Sequence, residues 1–188
     1  MMDNKSSGSS IQNYEDIPSP KRSVYSIYIK RILDFLISLV ALVVFSPIIL
    51  VTCIVSKVKM GSPIFYKATR PGYRGEPFNM YKFRSMTNDR DEKNELLPEN
   101  KRVTKYGMFL RKSSIDELPS LVSVLKGDMS IIGPRPLMME YLPLYTKRYK
   151  MRHSVRPGLS LPRLYDERYS TWTWREQFEN DIFYVENV

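Results

Sequence analysis

From Leu36 to Val55 the chain reads LISLVALVVFSPIILVTCIV, an apolar run without a charge. At about 1.5 Å of rise per residue, such a helix reaches across roughly 30 Å of hydrocarbon. Ser46-Pro47 stands near its middle. Proline has no N–H for the carbonyl four residues back, and it pushes the residue before it out of helical geometry. A serine hydroxyl can satisfy the carbonyl so freed. Lys21, Arg22, Lys30 and Arg31 precede the run, and Lys57, Lys59, Lys67, Arg70 and Arg74 follow it. A crossing helix carries its basic excess on one side. Cations at both ends therefore favour a re-entrant helix–break–helix that enters and leaves by one face over a single crossing. Asp34, one turn into the apolar pattern, fits shallow immersion, because a deep carboxylate is costly.

The pattern divides the chain into a polar tail rich in Ser, Asn and Pro (1–23), the membrane hairpin (24–59) and one further domain (60–188). The tail lacks the apolar core and cleavage site of a signal peptide, so the hydrophobic run is expected to be kept. In the domain, Ile64–Lys67 and Phe78–Met86 read as strands joined through the turn-forming RPGYRGEP. Lys82 and Arg84 share one face of the second strand by period-two spacing. The plainer reading of that face is a solvated one. Residues 88–100 read as a charged loop and 102–112 as a short helix. Ser114-Ile115-Asp116-Glu117 matches a capping box ahead of a helix that stops at Gly127. Residues 138–153 interleave Tyr, Leu and Met with Lys and Arg, which suits a membrane–water interface, and Pro143 limits any single helix there. Thr173 to Glu176 opens a last helix with a second capping box.

Composition narrows the chemistry. Apolar residues at 43% and charged residues at 26% exclude global disorder. A net charge of +9 calls for an anionic partner such as lipid headgroups, a phosphate-rich substrate or nucleic acid. One cysteine (Cys53) and one histidine (His153) exclude a disulfide framework and a Cys/His zinc site. No nucleic-acid motif is present, and the hydrophobic run suits a bilayer.

The remaining chemistry lies in two stretches. In RKSSIDELPSL, Asp116 and Glu117 stand at a helix N-terminus, where free N–H groups and the dipole favour an ionised carboxylate. A nucleophile needs that, and so does a cap. The cap is the plainer reading of the residues alone. In GDMSIIGPRP, Arg135 is locked between Pro134 and Pro136. A guanidinium on so stiff a backbone loses little entropy when it clamps a phosphate, although a rigid connector would look the same. A basic membrane-anchored module without chemistry, holding anionic lipid or phosphate ligands, accounts for charge and anchor but not for an Asp-Glu pair among arginines. A carboxylate-pair glycosidase needs its carboxyls about 5–10 Å apart across a sugar, which adjacent residues match poorly.

Taken in order, the Ser-Pro hairpin, PFNMYKFRSM, LRKSSIDELPSL, LKGDMSIIGPRPLMMEYLPLY and RHSVRPGLS closely resemble the small monotopic phosphoglycosyl transferases, the bacterial sugar transferase family. The resemblance runs from about Tyr28 to Val188. It implies a mainly α, α+β fold in which a re-entrant helix, broken at Ser46-Pro47, carries a small membrane-associated catalytic domain with a short β-hairpin. It implies an enzyme at the cytoplasmic face of the bacterial inner membrane. Such an enzyme moves a sugar-1-phosphate from a UDP-sugar to a polyprenyl phosphate and releases UMP, the first membrane step of glycan assembly. By the same resemblance Asp116 is the nucleophile, with Glu117 beside it and Mg²⁺ held by these carboxylates. Arg111, Arg135 and Lys82 are the expected phosphate-binding residues. The partners implied are UDP-sugar, polyprenyl phosphate and membrane lipid. A homo-oligomer is left open. The match departs after Arg156-Pro157-Gly158, where many members continue with Gly-Trp-Ala-Gln. Roles assigned to that segment do not transfer, and 162–172 is expected to form a specialised lid. The chain also stops at Val188, where relatives usually continue.

Overall fold

The computed structural model describes residues 23–162 and 173–188. Of the expected tail (1–23) all but Ser23, and of the expected lid (162–172) all but Pro162, lie outside the described residues. The fold is mainly helical, with one long apolar helix and two small sheets.

A wide turn at Tyr25–Ile29 leads into helix α1, Lys30–Met60. It is long and apolar enough to cross a membrane by length and composition. The Ser46 hydroxyl donates to the Val43 carbonyl at 2.7 Å. Val43 lies four residues before Pro47, so this is the acceptor that proline leaves without an N–H. With that acceptor bridged, α1 continues through Ser46–Pro47 as one helix, where the sequence pattern predicts an interruption.

Both ends of α1 are fastened to the rest of the molecule. Near its start, Asp34 accepts from the Ile131 N–H at 3.0 Å and the Ser130 hydroxyl at 2.7 Å, and pairs with Lys30 at 3.0 Å. The Lys30 ammonium also donates to the Ser130 hydroxyl. Arg31 donates to the Val124 and Leu125 carbonyls at 2.6 and 2.8 Å. Near its end, the Ser56 hydroxyl meets the Tyr106 hydroxyl at 2.9 Å, and Arg84 donates to the Met60 and Ser62 carbonyls. Asp34, Ser38, Thr52 and Ser56 are buried, while Leu39, Val40, Val43, Val44, Phe45, Ile48, Leu50 and Val51 between them are exposed.

Strands β1 (Phe65–Pro71) and β2 (Pro77–Phe83) form the expected antiparallel hairpin, with Tyr66 opposite Lys82. Phe78 and Met80 of β2 are buried and join Val124 and Met129 in the core. Period two puts Lys82 on the same face as these two residues. Its side is therefore the packed one, not the solvated one.

A one-turn helix α2 (Glu99–Arg102) precedes α3 (Lys105–Lys112), which is capped by Thr104. A Cβ on Gly107 would stand 1.8 Å from the Ser85 carbonyl oxygen, so only glycine lets α3 lie this close to the end of the hairpin. A tight 3₁₀ segment, Ile115–Ser120, then feeds α4 (Leu121–Lys126). α4 ends at Gly127, whose φ of 94° makes it the predicted left-handed stop. Strand β3 (Ser130–Ile132) pairs in parallel with β4 (Gly158–Ser160). Between them the stretch that mixes Tyr, Leu and Met with Lys and Arg is broken into Met139–Leu144, helix α5 (Lys147–Lys150) and Met151–Ser154. Helix α6 (Trp174–Asn187) opens with the predicted Thr173–Glu176 capping box.

Candidate active site

The Asp-Glu pair lies in the 3₁₀ segment between α3 and α4. The capping box predicted at Ser114 does not form. Ser114 has a φ of 56°, and its side chain caps nothing. The left-handed residue turns the chain sharply out of α3, and Pro119 removes an N–H that a regular α-helix would use. The segment is tied to β2 instead: the Ser120 hydroxyl donates to the Tyr81 carbonyl at 2.8 Å.

Glu117, free of capping, turns to two cations. Lys82 donates to Glu117 Oε1 at 2.6 Å, and Arg135 donates to the same oxygen at 2.7 Å. β2, the 3₁₀ segment and the Pro-Arg-Pro stretch thus meet at one carboxylate. Arg111 stands apart from this cluster. It donates to the Ser85 hydroxyl at 2.9 Å and pairs with Glu99 at 2.7 Å.

The two carboxylates are driven in opposite directions. Burial pushes the Asp116 carboxyl above the ordinary aspartate range, and Glu117 adds to that, while Lys82 and Arg111 pull it back. Burial also raises Glu117, but the Lys82 and Arg135 contacts outweigh it and hold that carboxyl below its usual value. Glu117 is therefore held as the anion, while burial makes Asp116 harder to ionise than an ordinary aspartate. Asp116 is only 7% exposed, and among the described residues its Oδ1 has no hydrogen-bond partner. A buried acceptor without a donor is costly unless it has another use.

Beside Glu117 is an open pocket, lined by Met80, Lys82, Glu117, Met129, Arg135 and Leu159 among others. Its lining combines apolar side chains with charged ones. Lys82, Glu117 and Arg135 line it; Asp116 and Arg111 do not. The apolar liners escaped sequence reading because they come from β2, the turn before β3, and β4. A short parallel pairing across a separation of 28 residues leaves no local signal. Also missed was the buried pair of Arg152 and Asp181, 2.8 Å apart. Burial pushes the Asp181 carboxyl up to about 6 against the pull of Arg152.

Magnesium takes hard oxygen ligands, commonly one or two carboxylates with substrate phosphates completing the shell. The orphaned Asp116 oxygen and the neighbouring Glu117 fit that demand. Among the described residues no group of three or more His, Cys, Asp and Glu side chains gathers, so a site closed by protein ligands alone is not what this geometry offers.

Comparison with known proteins agrees with the residue pattern. The chain is 49% identical over 159 residues to the protein described as "Uncharacterized sugar transferase EpsL" of Bacillus subtilis (strain 168), covering 85% of this chain and 78% of that one. It is 35% identical over 178 residues to the UDP-N-acetylgalactosamine-undecaprenyl-phosphate N-acetylgalactosaminephosphotransferase of Aeromonas hydrophila, covering 91% of this chain. It is 36% identical over 177 residues to the UDP-glucose:undecaprenyl-phosphate glucose-1-phosphate transferase of Klebsiella pneumoniae, covering 89% of this chain. The chain spans 41% and 38% of the length of these two enzymes. The family described as bacterial sugar transferase matches residues 25–188, and this chain belongs to it.

Proposed function

We propose that the protein transfers a sugar-1-phosphate from a UDP-sugar to a polyprenyl phosphate at the cytoplasmic membrane face, through a covalent intermediate on Asp116. The observation that carries this reading is the buried, unpartnered Asp116 oxygen beside a Glu117 already neutralised by Lys82 and Arg135. A module that only bound anions would gain nothing from burying a carboxylate oxygen without a donor. The named relatives supply the substrate class: two of them act on UDP-sugars and undecaprenyl phosphate.

In the first half-reaction an Asp116 oxygen forms a bond to the sugar-bearing phosphorus. The bridging P–O bond breaks, and its electron pair leaves with UMP. In the second, a phosphate oxygen of the polyprenyl acceptor attacks the same phosphorus and returns Asp116 as a carboxylate. Anion attacking anion needs shielding: two unit charges about 4 Å apart repel by roughly 4 kcal/mol at an effective dielectric near 20. Lys82 and Arg135 already stand at the site with their positive charge, and the charge of Arg111 also favours the ionised Asp116. An incoming phosphate can share Lys82 and Arg135 with Glu117. Mg²⁺ bound by Asp116 and Glu117 would add positive charge on the diphosphate oxygens.

The membrane helix is read as re-entrant. One domain holds Asp34 near the start of α1 and Ser56 near its end. On a straight axis these lie about 33 Å apart, a full hydrocarbon thickness. A crossing helix would put them on opposite faces, where a single aqueous domain could not reach both. The exposed apolar middle then dips into lipid and bends at Pro47. This sets the pocket at headgroup depth, where the acceptor phosphate lies.

The test is UMP release by the detergent-solubilised protein from a panel of UDP-sugars with polyprenyl phosphate and magnesium. Release from at least one sugar nucleotide, lost in Asp116→Asn, is expected. Release from none, or full activity in that variant, would contradict the reading.

A further inference from the structure

We infer that Arg152 is a positioning residue for Arg135, linking α6 to the pocket; this rests on the reading that Arg135 engages a substrate phosphate. The Pro134-Arg135-Pro136 unit has lost the N–H groups of both prolines, so its carbonyls must carry much of its anchoring. The Gly158 N–H donates to the Pro134 carbonyl at 3.0 Å. The next carbonyl, that of Arg135, accepts from Arg152 Nη2 at 2.7 Å. With two successive carbonyls pinned and the backbone torsions restricted by proline, the backbone from which the Arg135 side chain reaches Glu117 is fixed.

Arg152 is placed to hold this contact rigidly. It is 3% exposed. Asp181 of α6 lies 2.8 Å from the same Nη2, and Nη1 donates to the Tyr145 hydroxyl at 3.0 Å. The guanidinium lies over the rings of Tyr145 and Phe178, 5.6 and 5.2 Å from their centroids. Burying two charges gives back in attraction little more than it costs in desolvation, so a pair of this kind is poor evidence of a purely stabilising role. What this one does locally is aim one N–H, that of Nη2, at the backbone of the site's own arginine while Nη1 holds the Tyr145 hydroxyl. A lysine would keep the charge but could not reach carboxylate, hydroxyl and carbonyl from one planar group.

The experiment compares wild type, Arg152→Lys and Asp181→Asn, all full-length in detergent, with Arg148→Lys as control. Arg148 pairs with Glu179 on the same helix, away from the Pro-Arg-Pro unit. The first readout is the rate at which phenylglyoxal labels Arg135, followed by peptide mass spectrometry under conditions where each variant remains folded by its melting curve. Labelling is expected to rise severalfold in Arg152→Lys and Asp181→Asn and to stay at the wild-type rate in Arg148→Lys. If Arg152→Lys fails to fold, Asp181→Asn carries the same measurement. The second readout is kcat/KM for UMP release. Arg152→Lys should lower it roughly ten- to hundredfold. It should add little to an Arg135→Lys background and multiply with Arg111→Lys. Unchanged Arg135 labelling in the folded variants, or a full multiplicative loss on top of Arg135→Lys, overturns the inference. Wild type that releases no UMP from any UDP-sugar would end the catalytic reading, while the labelling rates would still decide whether Arg152 sets Arg135.

Discussion

Asp116 and Glu117 are neighbours in sequence and opposites in environment. Glu117 faces Lys82 and Arg135 and stays anionic; Asp116 is buried with an unpartnered oxygen and is pushed upward. The proposed attack needs Asp116 ionised, so kcat/KM should fall as pH drops through a value above the ordinary aspartate range. Lys82 pulls that value down, and Lys82→Met should therefore move the acid limb to higher pH. A limb that stayed in place or moved to lower pH would show that Lys82 does not pull on Asp116. At this scale the sequence was half legible. The pair of carboxylates stood out, and so did the stiff Arg135. Which carboxylate is clamped was not readable, because Lys82 lies 35 residues before Glu117 and reaches it only through the packing of β2 on the 3₁₀ segment. The capping box at Ser114 misled for a related reason. The motif specifies side-chain reach, but the tight exit from α3 puts Ser114 at positive φ, and the Glu117 side chain is used elsewhere.

At the scale of elements, helix ends and the hairpin were readable because their signals are local: Thr173 with Glu176, Gly127 after Lys126, and Pro-Gly and Arg-Gly between alternating strands. The β3–β4 pairing and the direct contact of α3 with Ser85 were not, since each joins short segments far apart in the chain. That second contact depends on one missing side chain. Gly107→Ala would force a Cβ into the Ser85 carbonyl, and overpacking of this kind costs about 1–3 kcal/mol. A lowered denaturation midpoint is expected, with reduced activity because α3 carries Arg111 and the backbone at Ser85 must shift. A variant as stable as wild type would mean that α3 does not sit this close. α1 tests a different reading. With Cys53→Ser as background, single cysteines at the exposed Val24 and Val58 should both react with an impermeant thiol reagent in inverted membrane vesicles. Reaction from opposite faces would establish a crossing helix.

Viewed whole, the molecule is a basic domain fastened to both ends of one apolar helix, with its charged pocket built from β2, the 3₁₀ segment, the Pro-Arg-Pro stretch and β4. The apolar run, its Ser-Pro centre and the basic flanks were plain in the sequence. The grip of Asp34 on Ser130 and Ile131 was not: the carboxylate read as a sign of shallow immersion also attaches the helix to the domain. A net charge of +9 would favour anionic headgroups at the proposed membrane face. Such an arrangement makes sense if the chemistry must occur where a lipid-borne phosphate meets a soluble nucleotide, with Asp116 holding the phosphosugar between them. The direct measurement is intact and peptide mass spectrometry of the protein after incubation with a turned-over UDP-sugar and magnesium, without acceptor. The account predicts a sugar-phosphate adduct on Asp116 that disappears when polyprenyl phosphate is added and never forms in Asp116→Asn. An adduct on another residue, or UMP release that requires acceptor and leaves no adduct, would contradict it.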